Sequence, residues 1–409
     1  MTRREWISGL PAGLALLGAA PAGAQRQAGK ELMSDSSVET AGIAVAAQRT
    51  FGLRLLCDLV DRAPRKNVFI SPLSVFLALH MTENGAAGAT RTAMRQALAL
   101  PDLDPSVLNA SSAALLAILQ SQETSALTIA DALWADRHFT LDPDFVKLCG
   151  SLFGARAESL DFADPRAAAE INDWVKTATH GKIASIVTPQ AVAKAAVILT
   201  NAVYFAGQWR KEFPLSQTQN GTFHLTGGGS KTAPLMHLAR LTGAYRSGAN
   251  FEGAILYYKQ SGLFLYALLP REGNTPRDVL ASLDAGHLAA GTPDFDLDLK
   301  LPRFSLDFSA SLAGPLEKMG MEVAFHDPQA DFGPMGSRQF FISDVLHKTR
   351  VEVDEKGTVA AAATAVTMGA AAMLRPRPLK TLVFDRPFAV VIADSQTGAI
   401  LFAGAIEDP

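Results

Sequence analysis

Cysteine is scarce in this chain: only Cys57 and Cys149 occur in 409 residues. That excludes a small disulfide-stapled scaffold and a cysteine-rich metal module. Each lies in an amphipathic stretch (FGLRLLCDLV and FVKLCGSLFGA), the setting of a buried free thiol, with a single bridge as the alternative. An excess of one charge is also missing. The 37 Lys and Arg against 40 Asp and Glu leave a net charge of -3, so nothing draws the chain toward nucleic acid or another polyanion. Charged residues make up only 19%, but 48% of the chain is hydrophobic, which excludes disorder. Beyond the N-terminus no apolar run is long enough to span a bilayer.

Catalytic signatures are lacking as well. There is no G-x-S-x-G elbow, no H-E-x-x-H, no G-x-G-x-x-G and no cysteine cluster with metal spacing. The eight histidines are scattered. Gly181-Lys182 has neither the earlier Gly nor the following Ser or Thr of a phosphate loop. No catalytic residue, metal or cofactor is assigned, and the chain does not read as an enzyme.

What is present begins with MTRREWISGLPAGLALLGAAPAGAQ. A short basic start, an apolar run broken by Pro11 and a small-residue exit at Ala22-Gly23-Ala24 have the layout of a secretory signal peptide. The paired Arg3 and Arg4 give it a twin-arginine form. Residues 1–24 are expected to be removed, 25–40 to form a flexible leader and 41–409 to fold as one domain, secreted or periplasmic. The form of the signal points to a bacterial, exported protein.

Along the body, Ala41 to Val60 carries a helical apolar stripe, Val68 to Ile70 a buried strand, and Ser71-Pro72 a helix start. Further helices are expected over 90–98, 106–119, 143–153, 164–177, 278–283 and 311–319. Strands are expected over 126–134, 195–204, 221–225, 233–236, 254–258, 263–269 and 296–304, and a hairpin over 382–393 and 399–406. Ala195 to Tyr204 is the longest continuous apolar strand signal, hence central in a sheet. Asn201 interrupts it, and a buried amide there must find partners. Ser71 and Ser74, at an apolar helix start, read by themselves as N-caps.

The least ordinary stretch is Asp354 to Pro378, DEKGTVAAAATAVTMGAAAMLRPRP. From Val359 to Leu374 it has no charge and no aromatic ring. Propensity makes it an Ala-rich helix, yet β-branched Thr364, Val366 and Thr367 and the missing 3.6-residue alternation weigh against one. Tested at period two, both faces consist mainly of small residues, so a strand of this composition fits between two others without bulky side chains blocking it.

Five segments, in order and spanning nearly all of the mature chain, together resemble the serpin family: NVFISPLSVFLALHMTENGAAGAT (67–90), INDWVKTATHGKI (171–183), LTNAVYFAGQWRKEF (199–213), HKTRVEVDEKGTVAAAATAV (347–366) and RPFAVVIADSQTGAILFAGAIEDP (386–409). The resemblance implies an α+β fold of about nine helices and three β-sheets, with 354–378 as an exposed reactive-centre loop. It implies inhibition of serine, and by extension cysteine, endopeptidases. A protease attacks the loop, an acyl-enzyme forms, and the cut loop inserts as a strand that traps the enzyme covalently. A non-inhibitory serpin acting as a binding protein or chaperone is the alternative.

On that resemblance Glu355, Lys356, Gly357 and Thr358 form the proximal hinge, followed by the inward-facing Ala360, Ala362 and Thr364. Ser71, Ser74, Asn201 and His347 fall on the shutter, beneath the point where the sheet opens, and Trp209 on the breach, where the loop first enters. Counting from Glu355 puts the reactive bond at Ala371-Ala372. Because the segment from Gly357 to Pro387 is a few residues longer than usual, Met373 and Leu374 remain alternatives. A small residue suits elastase- or subtilisin-like proteases, whereas Pro376 disqualifies Arg375. The expected partner is a target protease, with no nucleic acid or membrane, and the protein is expected to be a monomer. Ser106 to Leu119 has no Lys or Arg, so no polyanion activation is expected.

Overall fold

In the strand Ile342–Val353 every second residue from Val345 onward is buried and those between are half-exposed, as a strand with one face on a core requires. Val197–Phe205 is buried at every position instead. Its outer face is covered by the helix Ala167–Ala178, whose Ile171 and Val175 pack on Ala130, Ala132, Ile198 and Ala202. The computed structural model describes residues 22–121, 127–259, 262–284, 286–287, 295–336, 340–358 and 377–409. Among them are nine α-helices and three β-sheets, the mixed α+β architecture expected.

The seven-stranded sheet positions the site. Its order runs Arg156–Leu160, Leu127–Asp136, Val197–Phe205, Ile342–Val353, and Phe304–Ser311 closes the far side of Ile342–Val353. The central pair, Val197–Phe205 with Ile342–Val353, is parallel. The pair Gly357–Thr358 lies between the C-terminal end of Ile342–Val353 and Gly207–Gln208, antiparallel to both. A six-stranded antiparallel sheet includes the fully buried strands Leu263–Pro270, Phe388–Asp394 and Ile400–Ile406. In the four-stranded sheet Leu379–Val383 runs parallel to Asp296–Pro302. Between the sheets, the helix Pro72–Glu83 is buried along its whole length.

Two local expectations change. The strand expected over 382–393 is two strands in different sheets, Leu379–Val383 and Phe388–Asp394; Pro387 falls between them and donates no ladder hydrogen bond. Residues 304–311 form a strand, so the helix expected over 311–319 begins only at Ala313 and passes into a wider turn at Glu317–Met321. The first helix spans Ala22–Arg62. Both cysteines are buried and unbridged, and burial pushes the Cys149 thiol up to about 12. Among the described residues no helix is long and apolar enough to cross a membrane.

Candidate functional site

Three polar side chains lie abreast on adjacent strands of the seven-stranded sheet. Asp131 pairs in register with Asn201, and Asn201 with His347. All three are buried. His347 Nε2 accepts the Ser71 backbone N–H at 3.1 Å, so that nitrogen carries no proton and Nδ1–H donates to the Asn201 amide oxygen. The Asn201 amide in turn donates to Ser74 Oγ and to Asp131 Oδ1. Ser74 Oγ donates to the same Asp131 oxygen at 3.1 Å. Ser71 Oγ caps its helix by accepting the Ser74 N–H at 3.3 Å, and donates to the Leu401 carbonyl at 2.7 Å. The expected quartet Ser71, Ser74, Asn201 and His347 is thus one network, and N-capping is only part of what the serines do. It joins the central parallel strands to the helix Pro72–Glu83 and to the six-stranded sheet.

Burial sets the charges here. Desolvation drives His347 down to about 3, which keeps the ring neutral. It raises Asp131 to about 7, against the hydrogen bonds from Ser74 and Asn201, which favour the carboxylate. Thr349 extends the polar line by donating to the Phe69 carbonyl at 2.6 Å.

At the C-terminal end of the same strand pair the chain turns sharply. Asp354 Oδ1 accepts the N–H groups of Lys356 and Gly357 at 2.8 and 3.1 Å, and the Asp354 N–H bonds the Gly357 carbonyl at 2.9 Å. A Cβ on Gly357 would stand 2.0 Å from the Gly207 carbonyl oxygen, so only glycine fits. Trp209 holds the turn from beneath. Its ring stacks on Tyr258 at 4.6 Å, Nε1–H donates to the Asp354 carbonyl at 2.8 Å, and its backbone N–H to the Lys356 carbonyl at 2.9 Å. Glu355 accepts from the Arg303 guanidinium and the Thr218 hydroxyl. Burial works to raise its carboxyl, but these donors outweigh it and hold the group below its usual range.

One expectation is corrected here. The loop is not exposed from its first residue: Glu355, Gly357 and Thr358 are buried, and Thr358 already occupies a strand position paired with Val353 and Gly207. Its side chain is small enough to be seated there, and its hydroxyl finds the Tyr258 hydroxyl at 2.8 Å. Ala360, Ala362, Thr364, Ala371, Ala372, Met373 and Leu374 lie outside the described residues. Asp131, Tyr258, Arg303 and Thr218 were not singled out in the sequence. Only Asp131 left a signal there, as a charge on the same period-two face of its strand as Leu127, Ile129 and Leu133.

The description "Serpin (serine protease inhibitor)" belongs to the family model that matches residues 46–409. The chain is a serpin. An uncharacterized serpin-like protein of Thermococcus kodakarensis is 35% identical over 84% of this chain and 81% of its own. Plasminogen activator inhibitor 1 of Neovison vison is 29% identical over 88% of this chain and 91% of its own. Among solved structures, the thermophilic serpin tengpin in its native state superposes with a TM-score of 0.80 at 29% identity, covering 89% of this chain and 94% of that one. Serpins are mostly protease inhibitors rather than catalytic enzymes and act on target proteases. Relatives come from archaea and eukaryotes alike.

Proposed function

We propose that this serpin inhibits serine, and by extension cysteine, endopeptidases by trapping them through insertion of its own cleaved loop. The observation that carries this reading is the position of Thr358, seated antiparallel to both neighbours at the head of the central strand pair. A strand continued from it along the same line would replace one parallel ladder with two antiparallel ones, the more stable pairing per residue. Because Thr358 points inward to Tyr258, period two puts Ala360, Ala362, Thr364 and Val366 on the inward face. None carries a charge, whose burial unpaired would cost several kcal/mol.

In the reaction a protease nucleophile attacks the carbonyl carbon of Ala371. The bond to the Ala372 nitrogen breaks, that amine leaves with a proton, and Ala371 remains esterified to the enzyme. Insertion must outrun attack by water on this ester. Small residues at Ala371 and Ala372 favour elastase- and subtilisin-like targets; a cut at Met373 or Leu374 would favour chymotrypsin- or cathepsin-like ones. We further propose that residues 1–24 direct export, so that the inhibitor acts outside the cytoplasm as a monomer.

The test is to incubate the protein with elastase, subtilisin, chymotrypsin and trypsin, run denaturing gels, and determine the mass of the released C-terminal peptide. A complex stable to denaturant and a peptide beginning at Ala372 are expected. Cleavage without complex means a non-inhibitory serpin, such as a binding protein, and overturns the reading.

A further inference from the structure

Beside the shutter, on the helix side of the sheet, lies a cavity of about 310 Å³. It is a partly open pocket between the strand Leu127–Asp136 and the helices Pro72–Glu83, Pro105–Ser121 and Pro143–Phe153. Leu77, Leu116, Leu119, Leu127, Ile129 and Phe153 give it apolar walls, and Gln120 and Thr128 add neutral polar groups. Asp131 is the one ionisable side chain lining it among the described residues. Its Oδ1 is taken by Ser74 and Asn201. Its Oδ2 receives no donor from any described residue. One carboxylate oxygen is held by Ser74 and Asn201 and the other is left to the pocket, against apolar walls, where an entering donor can complete it.

We infer that the cavity is a binding site for a small amphiphilic cation, an ammonium group on an apolar body, whose N–H donors reach the open oxygen of Asp131 while its tail lies against the leucines. Dimensions at the small end of the range for ligand pockets suit such a molecule. Among the described residues no cation competes for the carboxylate. The groups that face Asp131 are Ser74 from the helix Pro72–Glu83 and Asn201 from the strand Val197–Phe205, both neutral. His347, beyond Asn201, is held uncharged by burial. Gln120 is neutral, and among the described residues the ring against Phe153 is His80, itself driven down to about 4.

Two consequences follow. Asp131 must be ionised to pair with the cation, and burial has raised it to about 7. Affinity therefore rises with pH through that value, about tenfold between pH 6 and pH 8, and binding below it expels a proton. The ligand also fixes Asp131 and, through it, Ser74 and Asn201, the groups that bind the closed strands together. Occupancy should accordingly raise the temperature at which the sheet opens. This inference is independent of whether the protein inhibits any protease.

The test uses the full chain, with octylamine, 1-octanol and octanoate as probes, in isothermal titration and thermal melting at pH 6 and pH 8. Asp131→Asn keeps an acceptor for Ser74 and Asn201 but removes the charge; Leu116→Trp fills the cavity without touching the shutter. The expected results are single-site binding of octylamine, about tenfold tighter at pH 8, loss of that pH dependence and of the preference over octanol in Asp131→Asn, and loss of all binding in Leu116→Trp. Equal affinity for octylamine and octanol, affinity unchanged in Asp131→Asn or in Leu116→Trp, or no saturable binding would each overturn the inference. Should either variant fail to fold, the wild-type pH dependence and the amine-over-alcohol preference decide by themselves.

Discussion

The hydroxyl of Thr358 lies 2.8 Å from the hydroxyl of Tyr258, both buried at the head of the central strand pair. The contact shows which way the Thr358 side chain points. Desolvation raises the Tyr258 phenol far above its ordinary range, so it stays neutral and keeps its proton to share with Thr358. The first residue of the proposed inserting strand is thus already in place.

Thr358→Arg would force a guanidinium into this site. Burying it unpaired costs several kcal/mol, so insertion slows while cleavage continues. The stoichiometry of inhibition, measured by titrating elastase or subtilisin, should rise at least several-fold, with cleaved serpin replacing the covalent complex. An unchanged stoichiometry would contradict the role given to this position.

Gly357→Val places a side chain where the Gly207 carbonyl stands 2.0 Å from the Cβ position. The turn must open, and Thr358 leaves its pocket. A loss of about 1–3 kcal/mol in equilibrium urea unfolding is expected. New protease sensitivity around residue 357 should accompany it.

His347→Ala removes the acceptor of the Ser71 N–H and the donor to the Asn201 amide oxygen. Each buried group left unsatisfied costs about 1–3 kcal/mol. Tm should fall by several degrees and heating should yield polymers on size exclusion. A monomeric profile with unchanged melting would refute the shutter assignment.

The pH dependence of stability has two opposing parts. His347, lowered to about 3 in the fold, is protonated only in the unfolded chain between that value and about 6.5, so its contribution falls as pH drops through this window. Asp131, raised to about 7, holds a proton in the fold that the unfolded chain has released above about 4, so its contribution falls as pH rises toward 7. Between about pH 4 and 6.5 the two slopes cancel. Asp131→Asn removes one of them. That variant should lose stability on acidification from pH 6.5 to 4 at about 1.4 kcal/mol per pH unit relative to wild type, as read from urea midpoints.

Much of this was legible in the sequence wherever a residue broke a local pattern. Asn201 interrupts an apolar strand and had to be partnered, and Ser71 and Ser74 sit at an apolar helix start. Val359 to Leu374 has few large residues and no 3.6-residue apolar stripe. Partners supplied from distant elements were not legible: nothing near Glu355 in the chain points to Arg303 or Thr218, and nothing near Thr358 points to Tyr258. Asp131 was hidden because a strand with one solvent face accommodates a charge at every second position, and only the covering helix Pro72–Glu83 makes its face an inner one. The burial of Thr358 escaped for a different reason. A small polar residue is compatible with both the open loop and the filled strand, so its identity does not choose between them.

The proposed mechanism requires the cut loop to become a strand between Ile342–Val353 and Val197–Phe205. The most direct measurement is the thermal unfolding of the chain after cleavage in the segment Ala371–Leu374, compared with the intact chain. Two new antiparallel ladders predict a rise in Tm of about 10 °C or more. A cleaved chain that melts at or below the temperature of the intact one would contradict the account.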